Sequence, residues 1–256
     1  MSKSLKNKLR RGEATLGSWI TLANPAIGEI LARAGYDWLV VDLEHSTMSM
    51  AEAGDLIRTI DLCGTSPLVR LTSNDINQAK RVLDCGAHGL IVPMVNSAQD
   101  ARQAVAATRY APHGGRGVGL GRAQGYGNTF EQYLKWQATE PIVIAQIEHV
   151  AGVSAIDAIL ATEGIDGYIV GPYDLSCSMG IPGQFEKPEF LEALEAIKAG
   201  GRRANKLGGL HIVEPEPARL AQAEADGYFF NAYGVDFRFL DVSARAGVAQ
   251  FQKDKS

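Results

Sequence analysis

Pro141-Ile-Val-Ile-Ala-Gln-Ile-Glu-His149 reads as a strand buried on both faces, the kind found in a parallel sheet under helices. It starts as an apolar β-type run and ends in Gln146 and Glu148. These two lie two residues apart and so point to the same side of the strand. A second stretch, Asp166-Gly-Tyr-Ile-Val-Gly-Pro-Tyr-Asp174, repeats the pattern and also ends in a carboxylate. Two carboxylates at neighbouring strand ends invite a divalent cation.

Outward from these two strands the chain alternates between apolar strands and capped helices. Strands are predicted at 15–22, 38–44, 66–72, 89–95, 142–148, 167–171, 209–213 and 228–233. Helices are predicted at 25–34, 50–62, 74–85, 98–110, 152–161, 188–206, 217–226 and 237–250. Asn24-Pro25 and Ser49 supply start signals, and Gly35, Gly64 and Gly86 supply stops. Eight such modules predict an α/β fold, a closed (β/α)8 TIM barrel formed as one domain over residues 1–256. No Gly-x-Gly-x-x-Gly follows the first strand, which weighs against a dinucleotide fold.

Composition narrows the function classes. The 256 residues are 46% hydrophobic and 21% charged, with a net charge of -4 and no basic stripe, which argues against nucleic acid. No apolar run is long enough to span a bilayer. Three cysteines, Cys63, Cys85 and Cys177, show no metal spacing and fit a reducing cytoplasm better than a disulfide framework.

A barrel puts its catalytic groups at the C-terminal ends of the strands. There stand Asp42, Glu44, His45, Arg70, Gln146, Glu148, Asp174, His211, Glu214 and Asp236. Glu148 and Asp174 without a nearby cysteine favour a hard ion such as Mg²⁺ or Mn²⁺. The plainer readings are a rim salt bridge for Glu148 and a helix N-cap for Asp174. Arg70 on an otherwise apolar strand stabilises developing oxygen charge, or else pairs with Asp42 or Glu44. His45 is a general-base candidate, although a lone loop histidine is often incidental. Asp84 falls in the last turn of a helix, where the dipole disfavours negative charge. It needs a partner, either His45 or a nearby arginine such as Arg81. No lysine is placed inside the barrel for Schiff-base chemistry. The loops after strands seven and eight are too acidic for phosphate.

Taken together these residues resemble the HpcH/HpaI-type class II, metal-dependent pyruvate aldolases. The resemblance is carried by Leu16-Gly-Ser-Trp19, Ala34-Gly-Tyr-Asp-Trp-Leu-Val-Val-Asp-Leu-Glu-His45, Leu68-Val-Arg70, Val92-Pro-Met-Val95, Thr108-Arg-Tyr110, Arg116-Gly-Val-Gly119, Gln146-Ile-Glu148, Gly171-Pro-Tyr-Asp-Leu-Ser176 and Gly234-Val-Asp236. It implies a barrel of the phosphoenolpyruvate/pyruvate type. It also implies aldol cleavage of a 4-hydroxy-2-oxo acid, a 2-keto-3-deoxy sugar acid or a hydroxy-oxo-diacid, to pyruvate and an aldehyde. By the same resemblance Glu148 and Asp174 hold Mg²⁺, Mn²⁺ or Co²⁺, which pyruvate chelates. Gln146, Tyr173 and Asp174 contact substrate, Arg70 stabilises the enolate, and His45, supported by Asp84, moves the proton. A homo-oligomer, commonly a hexamer with the last helix packed on a neighbour, is implied too; that helix can equally close its own barrel. Tyr173 stands where family members often have a small residue, and His211 and Glu214 add polarity at the seventh strand. These departures concern the aldehyde half of the substrate.

The long interruption at 111–140 contains Gly114-Gly-Arg-Gly-Val-Gly-Leu-Gly-Arg122. Because it follows a helix, it starts at the barrel face away from its own site. It is expected either to cross to a subunit interface, bringing Arg116 or Arg122 near substrate, or to be a mobile surface loop. Two other functional readings share the same groups. One is an oxaloacetate decarboxylase or other carbon–carbon lyase using the same enolate; the other is a non-catalytic metal-binding barrel.

Overall fold

A computed structural model describes residues 4–255; positions 1–3 and 256, which the one-domain expectation includes, lie outside the described residues. In chain order the elements are α1 (Leu5–Arg10), β1 (Thr15–Ile20), α2 (Pro25–Arg33), β2 (Trp38–Asp42), α3 (Met50–Leu62), β3 (Ser66–Arg70), α4 (Ile76–Asp84), β4 (Gly89–Val92), α5 (Ala98–Ala106), α6 (Phe130–Thr139), β5 (Ile142–Ile147), α7 (Val150–Ser154), α8 (Ile156–Leu160), β6 (Gly167–Val170), α9 (Pro172–Ser178), α10 (Pro188–Ala204), β7 (Leu207–Ile212), α11 (Pro217–Ala225), β8 (Phe230–Val235) and α12 (Asp236–Lys253). The eight strands pair in parallel, each with its sequence neighbours, and β8 closes on β1. The (β/α)8 barrel predicted from the alternation is the observed fold.

Strand parity divides the core into two layers. Ile142 and Ile144 of β5 join Trp19, Trp38, Val40, Leu68, Ile91, Ile169, Phe230 and Ala232 inside the barrel. Val143, Ala145 and Ile147 belong instead to the layer between strands and helices, with Val41, Val69 and Val170. The same parity carries Asp42, Arg70, Gln146, Glu148 and His211 onto the inward face, above the apolar plug. Gly17 faces Trp38, whose ring would lie 2.1 Å from a Cβ at that position. A side chain there would displace one of the plug's two tryptophan rings, which stacks on Phe230 at 4.2 Å.

Several boundaries differ from the sequence reading, and three of them have a clear local reason. β2 ends at Asp42 because its carboxylate accepts the N–H groups of Glu44 and His45, turning the chain out of the sheet. β4 ends at Val92 because Pro93 has no N–H for the ladder. The expected helix at 152–161 is two short helices meeting at Ala155. The basic start, assigned no structure above, forms α1 across the bottom of the barrel. Leu5 and Leu9 pack into the barrel interior, worth about 1.5–3 kcal/mol each. Lys6 donates to Asp166 at 2.7 Å and to the Pro141 carbonyl at 2.9 Å. Among the described residues no helix is long and apolar enough to cross a membrane.

Candidate active site

Trp19, His45, Arg70, Gln146, Gly171, Tyr173, Asp174 and His211 line a cavity of about 270 Å³ at the C-terminal mouth of the barrel. Glu148 is buried beside it. Its Oε1 accepts the Met94 N–H at 2.7 Å, and its Oε2 accepts from the Gln146 amide. Met94 adopts φ 52°, a left-handed conformation unusual for a side-chain-bearing residue. That turn, just after Pro93, aims its N–H at the carboxylate. Burial pushes the Glu148 carboxyl above its ordinary range, against the two hydrogen bonds that pull it down. The rim salt-bridge reading of Glu148 does not hold, since its hydrogen bonds come from an amide and a backbone N–H.

Asp174 stands in the first turn of α9 with its side chain exposed at the cavity mouth. The N-cap is Gly171, and no side chain caps this helix. The plain capping role expected as one option for Asp174 is therefore absent. Gly171 brings β6 against Glu148 so closely that a Cβ there would lie 2.6 Å from Oε2 and 2.9 Å from the Glu148 Cβ.

Arg70 is held from one side. Its Nε donates to Asp42 Oδ1 at 2.9 Å and its Nη2 to Asp42 Oδ2 at 2.5 Å, a bidentate pair. Its Nη1 lies 3.3 Å from Glu44 Oε2, and its guanidinium sits 5.3 Å over the Trp19 ring. Both structural partners anticipated for Arg70 are thus present, and they aim it into the cavity. A guanidinium carries five N–H groups, so hydrogens on Nη1 and Nη2 remain for a ligand.

The site carries excess negative charge. Asp42, Glu44, Glu148 and Asp174 act on one another electrostatically, with Arg70 the cation among them. Burial, opposed by Arg70 and reinforced by the other three carboxylates, pushes the Glu44 carboxyl up to about 7. Its Oε2 is buried without a hydrogen-bond partner. A buried carboxylate oxygen that makes an ion contact with Arg70 but no hydrogen bond, within a cluster of acids, fits a divalent cation with its bound water. Among the described residues no three His, Cys, Asp or Glu side chains converge as a ready-made cage. A pair of carboxylates suits an ion that keeps open positions for other oxygens.

His45 lies on the loop after β2, its side chain largely exposed and its Nε2 3.9 Å from Glu44 Oε2. Asp84 is not with it. Asp84 ends α4, at the bottom of the barrel, and accepts from Arg116 at 2.6 Å and from Gln124 at 3.1 Å. The expectation that Asp84 orients His45 fails within one protomer, because strand and helix directions set them at opposite ends. Arg81 is not its partner either.

The Gly-rich loop supplies Asp84's cation. Arg116 is buried between the rings of Tyr110 and Tyr133, at 5.0 and 5.4 Å, and donates to the Tyr133 hydroxyl. Arg122 pairs with Asp61 at 2.5 Å. In their own protomer both arginines anchor the loop under the barrel, remote from the cavity. Glu214 is drawn away from the cavity by a bidentate pair with Arg238. Asp236 accepts the N–H groups of Thr21 and Leu22, tying β1 to the end of β8. Sequence reasoning missed Trp19 and Met94. Trp19 was visible as an aromatic on the first strand; the Met94 N–H is a backbone group with no sequence signal.

The model of the HpcH/HpaI aldolase/citrate lyase family matches residues 15–241. The 4-hydroxy-2-oxo-heptane-1,7-dioate aldolase of Salmonella paratyphi C (strain RKS4594) is 39% identical, the match covering 100% of this chain and 97% of that protein. The 2-keto-3-deoxy-L-rhamnonate aldolase of Escherichia coli (strain K12) is 35% identical, covering 100% and 96%. A crystal structure of an HpcH/HpaI aldolase/citrate lyase family protein from Burkholderia cenocepacia J2315 has a TM-score of 0.92 at 32% identity, covering 98% of this chain and 100% of that one. The chain therefore belongs to the HpcH/HpaI aldolase/citrate lyase family and is a carbon–carbon lyase.

Proposed function

We propose that this barrel cleaves a 4-hydroxy-2-oxo acid to pyruvate and an aldehyde, with Glu148 and Asp174 holding a divalent cation such as Mg²⁺, Mn²⁺ or Co²⁺. The observation that carries the reading is the convergence of a buried carboxylate, an exposed carboxylate, an aimed guanidinium and an imidazole at one barrel mouth. The bound cation would supply a Lewis acid for negative charge on the 2-oxo oxygen.

The chain's own groups account for the remaining chemistry. Gln146 and the first turn of α9, with Tyr173 and Asp174, orient the oxo-acid end. His45 accepts the proton of the C4 hydroxyl; the C3–C4 bond breaks as the C4–O bond becomes the aldehyde carbonyl. The electron pair moves onto the three-carbon fragment as the C2–C3 enolate. Return of a proton to C3 gives pyruvate. Arg70, fixed by Asp42, places its free N–H groups where oxygen charge grows during the break. Because they are pre-aimed, little reorganisation is needed at that moment.

The protein acts as a cytoplasmic homo-oligomer, a hexamer by the family resemblance. α12 exposes Phe237, Leu240, Val242, Val248 and Phe251, and among its residues only Asp236 is buried. That pattern favours packing on a neighbour over closing its own barrel. The loop beside Asp84 exposes Val118 and Leu120. Against a neighbouring barrel mouth it would bring Asp84 to the His45 of that copy, the arrangement left for this pair.

Coupled assays for pyruvate release test the reading. Both 4-hydroxy-2-oxo-heptane-1,7-dioate and 2-keto-3-deoxy-L-rhamnonate are offered to chelator-treated enzyme, with Mg²⁺, Mn²⁺ or Co²⁺ then restored. Cleavage that returns with the ion supports it. Full-rate cleavage after stringent demetallation refutes the metal, and no pyruvate from any 4-hydroxy-2-oxo acid refutes the reaction. Sedimentation of the native enzyme as a monomer would remove the oligomer.

A further inference from the structure

His211 points from β7 into the cavity on the inward parity of the barrel. Its ring stacks on Trp19 at 4.5 Å with a 17° interplanar angle. Its Nε2 lies 3.1 Å from the Gly234 carbonyl oxygen on β8. A carbonyl oxygen only accepts, so Nε2 carries the proton. The other nitrogen, Nδ1, therefore presents a lone pair and makes no hydrogen bond among the described residues. The ring stays neutral under ordinary conditions, because burial and the charge of Arg70 outweigh the Gly234 bond and Asp42. The charged groups acting on it are thus Arg70 from β3 and Asp42 from β2.

The arrangement is a fixed acceptor on a flat aromatic wall. It repels a carboxylate, which is also an acceptor, and gives an alkyl chain no polar partner. It suits the hydroxyl of a substrate. The oxo-acid end is taken by Gln146 and the turn after β6, so β7 and β1 are left to face the other half of the molecule. We infer that His211 is a specificity-determining residue that accepts a hydrogen bond from a hydroxyl group on the aldehyde-derived half, selecting hydroxyaldehydes over unsubstituted aldehydes of equal size. This inference rests on the aldolase reading above.

The test compares condensation of pyruvate with glycolaldehyde and with propanal, which have the same number of heavy atoms. Wild-type enzyme favours glycolaldehyde in kcat/KM, and His211→Leu lowers that ratio about tenfold, the scale of one neutral hydrogen bond. The loss appears in the aldehyde's KM. His211→Asn, whose amide oxygen restores an acceptor, recovers part of the ratio. Because the readout is a ratio within one preparation, a partly unfolded variant does not distort it. A wild-type enzyme with no preference for glycolaldehyde, or a His211→Leu ratio within twofold of wild type, overturns the assignment. Exchange of pyruvate methyl protons in heavy water, measured on wild-type enzyme, separates the two levels. Without exchange the aldolase reading falls and this inference with it; with exchange and an unmoved ratio, only the role of His211 falls.

Discussion

Replacing Gly171 by Ala adds one methyl group and no charge, yet it acts on Glu148. Gly171 has φ -97°, an ordinary conformation for any residue, so the change introduces no backbone strain. The new Cβ would lie 2.6 Å from Glu148 Oε2 and 2.9 Å from its Cβ. Comfortable contacts begin near 3.5 Å, so one partner must retreat by about 0.5–1 Å. The Glu148 Cβ is fixed to its chain, and Oε1 is tied to the Met94 N–H. The retreat falls on the carboxylate plane and on its bond from Gln146. Overpacking of this kind costs about 1–3 kcal/mol of stability, or about 2–4 °C of Tm for each kcal/mol. Displacing a metal ligand's support lowers affinity or activity about 10–100-fold. The assay is Mn²⁺ titration by electron paramagnetic resonance, alongside aldol cleavage at rising Mn²⁺. The expected variant folds, binds Mn²⁺ at least tenfold more weakly, and regains part of its rate at high ion. Wild-type Mn²⁺ affinity and rate in Gly171→Ala would refute the assignment of Glu148 as a ligand packed against this turn.

Other outcomes follow from the same geometry. Arg70→Lys keeps a positive charge but loses the fork held by Asp42; steady-state cleavage should fall about 100-fold or more, and a loss under fivefold would show that the aim of the guanidinium is irrelevant. Lys6→Ala leaves Asp166, only 12% exposed, without its cation under the barrel. It should lower stability in urea by about 3–5 kcal/mol, and an unfolding midpoint equal to wild type would contradict a stabilising role for this ion pair. His211 has a folded-state pKa lowered from 6.5 to about 4, chiefly by burial, against an ordinary value in the unfolded chain. The unfolded chain therefore binds the proton first as pH falls. Stability from this residue is intact above about 6.5, declines between 6.5 and 4, and is lost below, up to about 3 kcal/mol less whatever cavity water screens. His211→Leu should flatten the pH dependence of unfolding in that window, and parallel curves would show that the ring is not buried as described.

The alternation of apolar runs and capped helices was legible in the sequence because it is local. A strand buried on both faces must be apolar at every position, as in residues 142–145, and Asn24 and Ser49 start helices through their own side chains. Parity was legible for the same reason: Gln146 and Glu148 share a face two residues apart whatever surrounds them. The basic start was not legible as α1, since nothing within residues 5–10 says that a barrel floor and Asp166 await them.

By itself, then, the sequence determined the eight modules and the strand parity that turns Arg70, Gln146 and Glu148 inward, since each depends on chemistry within about ten residues, and the number of modules implied the barrel. Tertiary structure alone decided the partners. It gave Arg70 to Asp42, the Met94 N–H to Glu148 and the Gly234 carbonyl to His211, and it gave Asp84 to Arg116 at the far end of the barrel from His45. Those pairings join residues from separate strands and loops. Their geometry comes from closing the sheet and from the direction each helix runs back, which no local pattern encodes.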